Sequence, residues 1–187
     1  MALTSSPLRG GGQRKELFPM NHSRLATNWA TVRHRVDEAC RAAGRDPAEV
    51  SILPVSKTFG PEVVRAAVAL GLRRFGENKV QEIREKSGPL AGCGIAWVVI
   101  GHLQTNKARD VARLASEVQS LDRLELAEAL HRRLQLEGRA IDVLVQVKTS
   151  PEESKHGLPP AELPAFLDSL ARCDTLRVRG LMTLASH

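Results

Sequence analysis

The chain has 187 residues, 42% of them hydrophobic and 26% charged, with a net charge of +6. That composition is ordinary for one well-cored globular domain. No run approaches the roughly 20 apolar residues a membrane-spanning helix needs, and Met1 to Met20 lacks the apolar core of a secretory signal. Aromatics make up 3% of the chain, so no basic stripe interleaved with stacking rings points to a specific nucleic-acid groove. The positive charge suits an anionic small molecule such as a phosphate ester instead. Cys40, Cys93 and Cys173 are widely spaced with no CxxC pair, the pattern of reduced thiols in a cytoplasmic protein.

Residues 1–19 read as an aperiodic, disordered tail, and Met20 is a second candidate start. From Asn21 to Ala43 apolar residues recur at helical spacing (Leu25, Trp29, Val32, Val36, Ala39), and Gly44 stops the helix. A strand is expected over 51–56, then a helix from Pro61 to about Leu70, with proline at its first position. A very short strand over 72–75 leads to a helix over 79–87, for which Asn78 and Gln81 form a capping box. An apolar strand follows over 95–100, suited to cover on both faces, then a helix over 104–115. A strand over 117–120 leads to a long helix over 123–137, with Asp122 and Glu125 as a second capping box. A β-branched strand over 141–147, a helix over 160–172 and a strand over 176–183 complete the series. Six strands alternating with helices imply parallel α/β architecture, either a doubly wound sheet or a barrel. Neither GxGxxG nor GxxxxGK[ST] follows a strand, which removes support for the common nucleotide-binding open sheets.

In a barrel, functional side chains follow the strands at their carboxyl ends. Those positions hold Lys57, Glu77 and Asn78, His102 and Gln104, Asp122, Lys148 and Thr149, and Met182 and Thr183. A desolvated lysine there has a free amine that attacks carbonyls. Both Lys57 and Lys148 end apolar strands, and spacing does not choose between them. The histidines are scattered along the sequence, which argues against a metal site.

Six segments change the weighting: VSKT (55–58), FGENKVQE (75–82), IGHLQTNK (100–107), SLDR (120–123), VLVQVKTSPEESKHGL (143–158) and RGLMTL (179–184). In this order they resemble the pyridoxal 5′-phosphate homeostasis protein family, single-domain relatives of the alanine racemase barrel. The resemblance runs from about Met20 to the last residue. It implies a TIM-type (β/α)8 barrel of the alanine racemase N-terminal type, truncated here after about six strands, with an extra N-terminal helix. Residues 20–187 would form this one incomplete domain. It further implies pyridoxal 5′-phosphate (PLP) held as an aldimine on Lys57, with Asn78, His102 and Met182 around the cofactor. Two departures stand out. Trp97-Val98 replaces the family's aromatic-His pair, and the family's C-terminal phosphate-binding segments are not in the sequence.

Three functions are weighed. A non-catalytic cofactor carrier in vitamin B6 homeostasis, serving PLP-dependent recipient enzymes, is favoured. An amino-acid racemase resembling the larger relatives would pair lysine with tyrosine as bases on opposite faces. The sequence has no tyrosine, and no second domain is read in it. A nucleic-acid binder rests on net charge alone. The full-length family is expected to be monomeric. A six-stranded remnant would expose two strand edges, so self-association and weakened cofactor retention are expected here.

Overall fold

The computed structural model describes residues 22–150, 152 and 156–184. The expected tail and the candidate start at Met20 lie outside them. Among the described residues the six expected helices form: α1 (His22–Ala42), α2 (Pro61–Ala69), α3 (Val80–Ser87), α4 (Ala108–Leu114), α5 (Leu124–Leu136) and α6 (Leu163–Leu170). The expected helices at 104–115 and 160–172 are divided. Each begins with a single 3₁₀ turn, at Thr105–Lys107 and Pro160–Glu162.

Five strands, β1 (Arg74–Glu77), β2 (Ala96–Val99), β3 (Ala115–Leu121), β4 (Ile141–Gln146) and β5 (Leu176–Met182), form one parallel sheet. Their spatial order is the order of the chain, β1-β2-β3-β4-β5. A doubly wound sheet reverses its order at a switch point. Uninterrupted order is barrel winding, and it decides the alternative that periodicity left open.

The expected strand over 51–56 is reduced to a bridge between Val55 and Gly76. The Gly76 N–H donates to the Pro54 carbonyl at 2.8 Å, and the Ser56 N–H donates to the Gly76 carbonyl at 3.0 Å. Pro54 has no N–H to extend the ladder. The sheet therefore has five full strands and one bridged segment where six strands were expected. The very short strand expected over 72–75 lies two residues later, at 74–77.

Neither expected capping box forms. Lys79 and Arg123 occupy the N-cap positions of α3 and α5, and no side chain caps either helix. The Asp122 carboxylate instead accepts from Arg123 Nη1 at 2.6 Å.

The core lies between the sheet and its helices. On α5, Leu126, Leu130 and Leu134 recur every four residues and are fully buried. Each contributes about 1.5–3 kcal/mol by leaving water. Trp97, Val98 and Val99 of β2 are buried on both faces, as its continuous apolar run implied. Phe75 and Trp97, partners in the β1–β2 register, bring their rings to 6.2 Å. At the other side of the sheet β5 is the edge strand among the described residues. Its Arg177 donates to Asp142 of β4 at 2.6 Å and, with Arg179, holds that carboxyl below its ordinary 3.8 although partial burial opposes this.

Candidate functional site

The carboxyl ends of the strands converge on a cavity of about 680 Å³ whose lining includes Lys57, Asn78, His102 and Met182. These are the four cofactor-contact residues that the resemblance implied. Lys57 follows the bridged segment, Asn78 follows β1, His102 lies three residues beyond β2, and Met182 ends β5. Lys57 is the lysine among the described lining residues. Lys148, its competitor on spacing, does not line the cavity, and Lys155 falls outside the described residues. Lys57 is exposed at the rim, so the barrel wall does not supply the desolvation expected from sequence.

The loops carrying these side chains are held by their main chains. Ser120 Oγ donates to the Gly101 carbonyl at 2.7 Å, and Arg123 Nη2 donates to the Leu103 carbonyl at 2.7 Å. These two bonds bracket His102. Gly101 makes the approach possible, because a Cβ there would lie 2.4 Å from the Asn78 carbonyl oxygen. Beyond β4, Gln146 Nε2 donates to the His156 carbonyl at 2.9 Å, and Leu158 N–H donates to the Gln146 carbonyl at 2.8 Å. Beyond β4 and β5, the hydroxyls of Thr149 and Thr183 bond at 2.6 Å.

The turn at Lys57 has its own supports. Thr58 has φ +68°, a left-handed conformation that is an outlier for a β-branched residue and costs about 1–3 kcal/mol. Its N–H donates to Glu82 Oε2 at 2.7 Å. Ser56 Oγ donates to Glu77 Oε1 at 2.6 Å, and Lys86 Nζ donates to the Ser56 carbonyl at 2.7 Å. Lys86 also reaches Glu77 at 2.6 Å and Glu82 at 3.1 Å. Burial pushes the Glu77 carboxyl above its ordinary range, against the pull of Lys86 and Ser56. Burial acts the same way on Glu82, but the Thr58 N–H and Lys86 outweigh it and hold that carboxyl low.

The fold corrects the expectation of scattered histidines. His102 and His156 stack with ring centroids 3.8 Å apart and 16° between planes. His102 Nδ1 lies 3.6 Å from Asp122 Oδ2. One ring nitrogen from each histidine and one Asp122 carboxylate oxygen lie within 4.8 Å of one another, a spacing at which these three side chains could hold a metal ion. Arg123 Nη1 contacts Asp122 Oδ1 at 2.6 Å.

Sequence reasoning left several contributors unassigned. His156 and Gln146 both lie inside a segment quoted for the resemblance; the polar residue closing an apolar strand was the available signal for Gln146. The Glu77–Lys86–Glu82 cluster had weaker signals. Glu82 and Lys86 are spaced for one helix face, but nothing in the sequence shows that Glu77 and Ser56 meet them.

Comparison with known proteins matches residues 23–187 to the family model described as alanine racemase, N-terminal domain. The pyridoxal phosphate homeostasis protein of Pseudomonas aeruginosa is 43% identical over 162 residues, covering 87% of this chain and 70% of that protein. The chain belongs to the pyridoxal phosphate homeostasis protein family. The human family member is 41% identical over 167 residues, covering 83% of this chain and 60% of that one. Among solved structures, PipY of Synechococcus elongatus with PLP bound is 34% identical, with a TM-score of 0.70 over 80% of this chain and 70% of PipY. Alanine racemase of Clostridium difficile, 12% identical at a TM-score of 0.58 over 72% of this chain and 36% of the racemase, shares the fold. Family and barrel type agree with the reading of the six sequence segments.

Proposed function

We propose that this chain binds pyridoxal 5′-phosphate at Lys57 and holds it reversibly, as a non-catalytic carrier in PLP homeostasis. The observation that carries this reading is the convergence of Lys57, Asn78, His102 and Met182 on one cavity. The cofactor supplies an aldehyde, which a primary amine takes up with loss of water and gives back on hydrolysis. The donor set fits its reactive end and ring. Val55, Ile100 and Met182 offer apolar surface to an aromatic ring, and Asn78 and His102 offer hydrogen-bonding groups to its polar substituents. For the phosphate the described lining offers the Thr183 hydroxyl, the imidazoles and the side-chain amides of Gln119 and Gln146. The relatives' names and the PLP bound to PipY support the same cofactor.

Holding rather than turnover is favoured by chemistry. A racemase needs a second base across the ring from its lysine, and the tyrosine of that design has no counterpart in the sequence. Delivery to PLP-dependent recipient enzymes is part of the same proposal. So is a reducing, cytoplasmic setting, supported by three free cysteines. Among the described residues no helix is long and apolar enough to cross a membrane.

The test is to add PLP, reduce with borohydride and map the modified lysine by mass spectrometry. Modification is expected at Lys57 and is expected to be nearly absent after Lys57→Ala. Dominant modification of Lys148 or Lys155 would overturn the assignment. Amino-acid racemisation is expected to be undetectable in the same preparation; measurable turnover would favour the enzyme.

A second expected result concerns association. The edge strand β5 presents Val178 at 40% and Leu181 at 55% exposure. Open apolar edges invite pairing with another chain. Sedimentation velocity is expected to show concentration-dependent self-association, weakened by Leu181→Lys. A monomer at every concentration would contradict this.

A further inference from the structure

Lys57 makes its chemical contribution from a turn whose two flanking residues are both tied to one buried ionic cluster. On the N-terminal side, Ser56 is held through its hydroxyl by Glu77 and through its carbonyl by Lys86, at 2.6 and 2.7 Å. On the C-terminal side, the Thr58 N–H is held by Glu82 at 2.7 Å, in a conformation with φ +68°. Lys86 joins the two arms by contacting both carboxylates. The cluster is buried at Glu77 and Lys86, and Glu77 Oε2 has no hydrogen-bond partner among the described residues.

Such an arrangement is a poor way to gain stability alone. Well-packed apolar side chains of similar volume often do as well as a buried ion pair or better. What apolar side chains cannot do is grip a carbonyl on one side of Lys57 and an N–H on the other. The strained φ of Thr58 points the same way, because strain persists where surrounding contacts over-determine the backbone, and it clusters at ligand clamps.

We propose that Glu77, Lys86 and Glu82 are positioning residues for Lys57. Held at both neighbours, the main chain fixes where the lysine leaves the end of the bridged segment and keeps its amine directed along the cavity. This inference rests on the reading of Lys57 as the residue that takes up PLP. The three cluster residues act through Ser56 and Thr58: Lys86 and Glu82 on their main-chain groups, Glu77 on the Ser56 hydroxyl.

The test compares wild type with Glu82→Ala and Thr58→Gly. Each is exposed to PLP for timed intervals and quenched with borohydride, and labelling of Lys57 relative to Lys107 is read by peptide mass spectrometry. Glu82→Ala releases the Thr58 N–H. Thr58→Gly removes the conformational restriction, since glycine tolerates this φ without strain. Each variant is expected to lower the Lys57:Lys107 rate ratio on the order of tenfold, as loss of alignment in a reacting pair does. The thermal midpoint of Thr58→Gly is expected to be unchanged or raised, which separates positioning from a structural defect. Glu82→Gln keeps an acceptor for the Thr58 N–H and is expected to restore most of the ratio. Wild-type ratios in both Glu82→Ala and Thr58→Gly would overturn the positioning role while leaving Lys57 as the cofactor residue. A wild-type protein with no preference for Lys57 over Lys107 would overturn the cofactor reading itself.

Discussion

Replacing Lys86 by methionine is expected to destabilise the fold by about 3–5 kcal/mol near neutral pH, the usual cost of stripping one partner from a buried ion pair. Domain stabilities are about 5–15 kcal/mol in total, so this is a large fraction. Lys86 is 5% exposed and Glu77 is fully buried. Methionine fills the space but leaves Glu77 with the Ser56 hydroxyl as its remaining donor. The loss should depend on pH in a determined direction. Burial already raises the Glu77 carboxyl above its ordinary 4.5, and Lys86 opposes that rise. Without Lys86 the folded-state value climbs further. Below about 4.5 both folded and unfolded chains keep this proton, and the Glu77 penalty vanishes. As pH rises, the unfolded chain releases its proton first, so the penalty grows until the folded carboxyl also ionises. Glu82 adds to the same trend. Its folded value is held low partly by Lys86, so the wild type gains stability as pH rises through the carboxylate range, and the variant loses part of that gain. Urea unfolding at mildly acidic and neutral pH checks this. A defect of the same size at both would show that the lysine's charge is not what matters.

Gly101→Ala is expected to cost about 1–3 kcal/mol, the range for forcing atoms into occupied space, and to impair PLP capture more than its stability loss explains. The added Cβ meets the Asn78 carbonyl oxygen at 2.4 Å and its Cα at 2.9 Å. Both are main-chain atoms and cannot swing aside. Relief requires the ends of β1 and β2 to separate, which moves Asn78 and His102 apart in the cavity they share. The Ile100 N–H bond to the Glu77 carbonyl, at 3.0 Å, lies directly in the path of that movement. Gly88→Ala is the control, because a Cβ there meets nothing within 4 Å and the backbone is already right-handed helical. Chemical denaturation and borohydride trapping on both variants give the comparison. Equal behaviour of the two would show that the close approach is not needed.

Much of the fold was legible because its signals are local. The four-residue spacing of Leu126, Leu130 and Leu134 suits one face of α5, and the unbroken apolar run around Trp97 marks a strand covered on both faces. Strand order was not legible, since periodicity says which residues face inward but not which strands are neighbours. The bridged segment at 51–56 was overestimated because apolar content outweighed Pro54, whose missing N–H limits pairing. Asp122 was misassigned as a cap because its sequence spacing to Glu125 is correct for one. In space, Arg123 takes the carboxylate first. The four residues expected from their motifs come together at one end of the sheet, where they line one cavity. The stacking of His156 on His102 and the joining of the Glu77–Lys86–Glu82 cluster to Ser56 and Thr58 were not legible, because these partners are distant in sequence, 21 to 30 residues for the cluster, and the sequence states no distances.

The loops around the cavity are fastened at peptide groups: Ser56 by Lys86, Gly101 by Ser120, Leu103 by Arg123 and His156 by Gln146. Fastening of this kind separates the shape of the rim from the identity of the side chains it displays. His102, Asn78 and Met182 can be exchanged without cutting any of those four bonds. The barrel mouth is thus a frame with replaceable fittings, in which new rim chemistry can be tried by substitution while the path of each loop is kept.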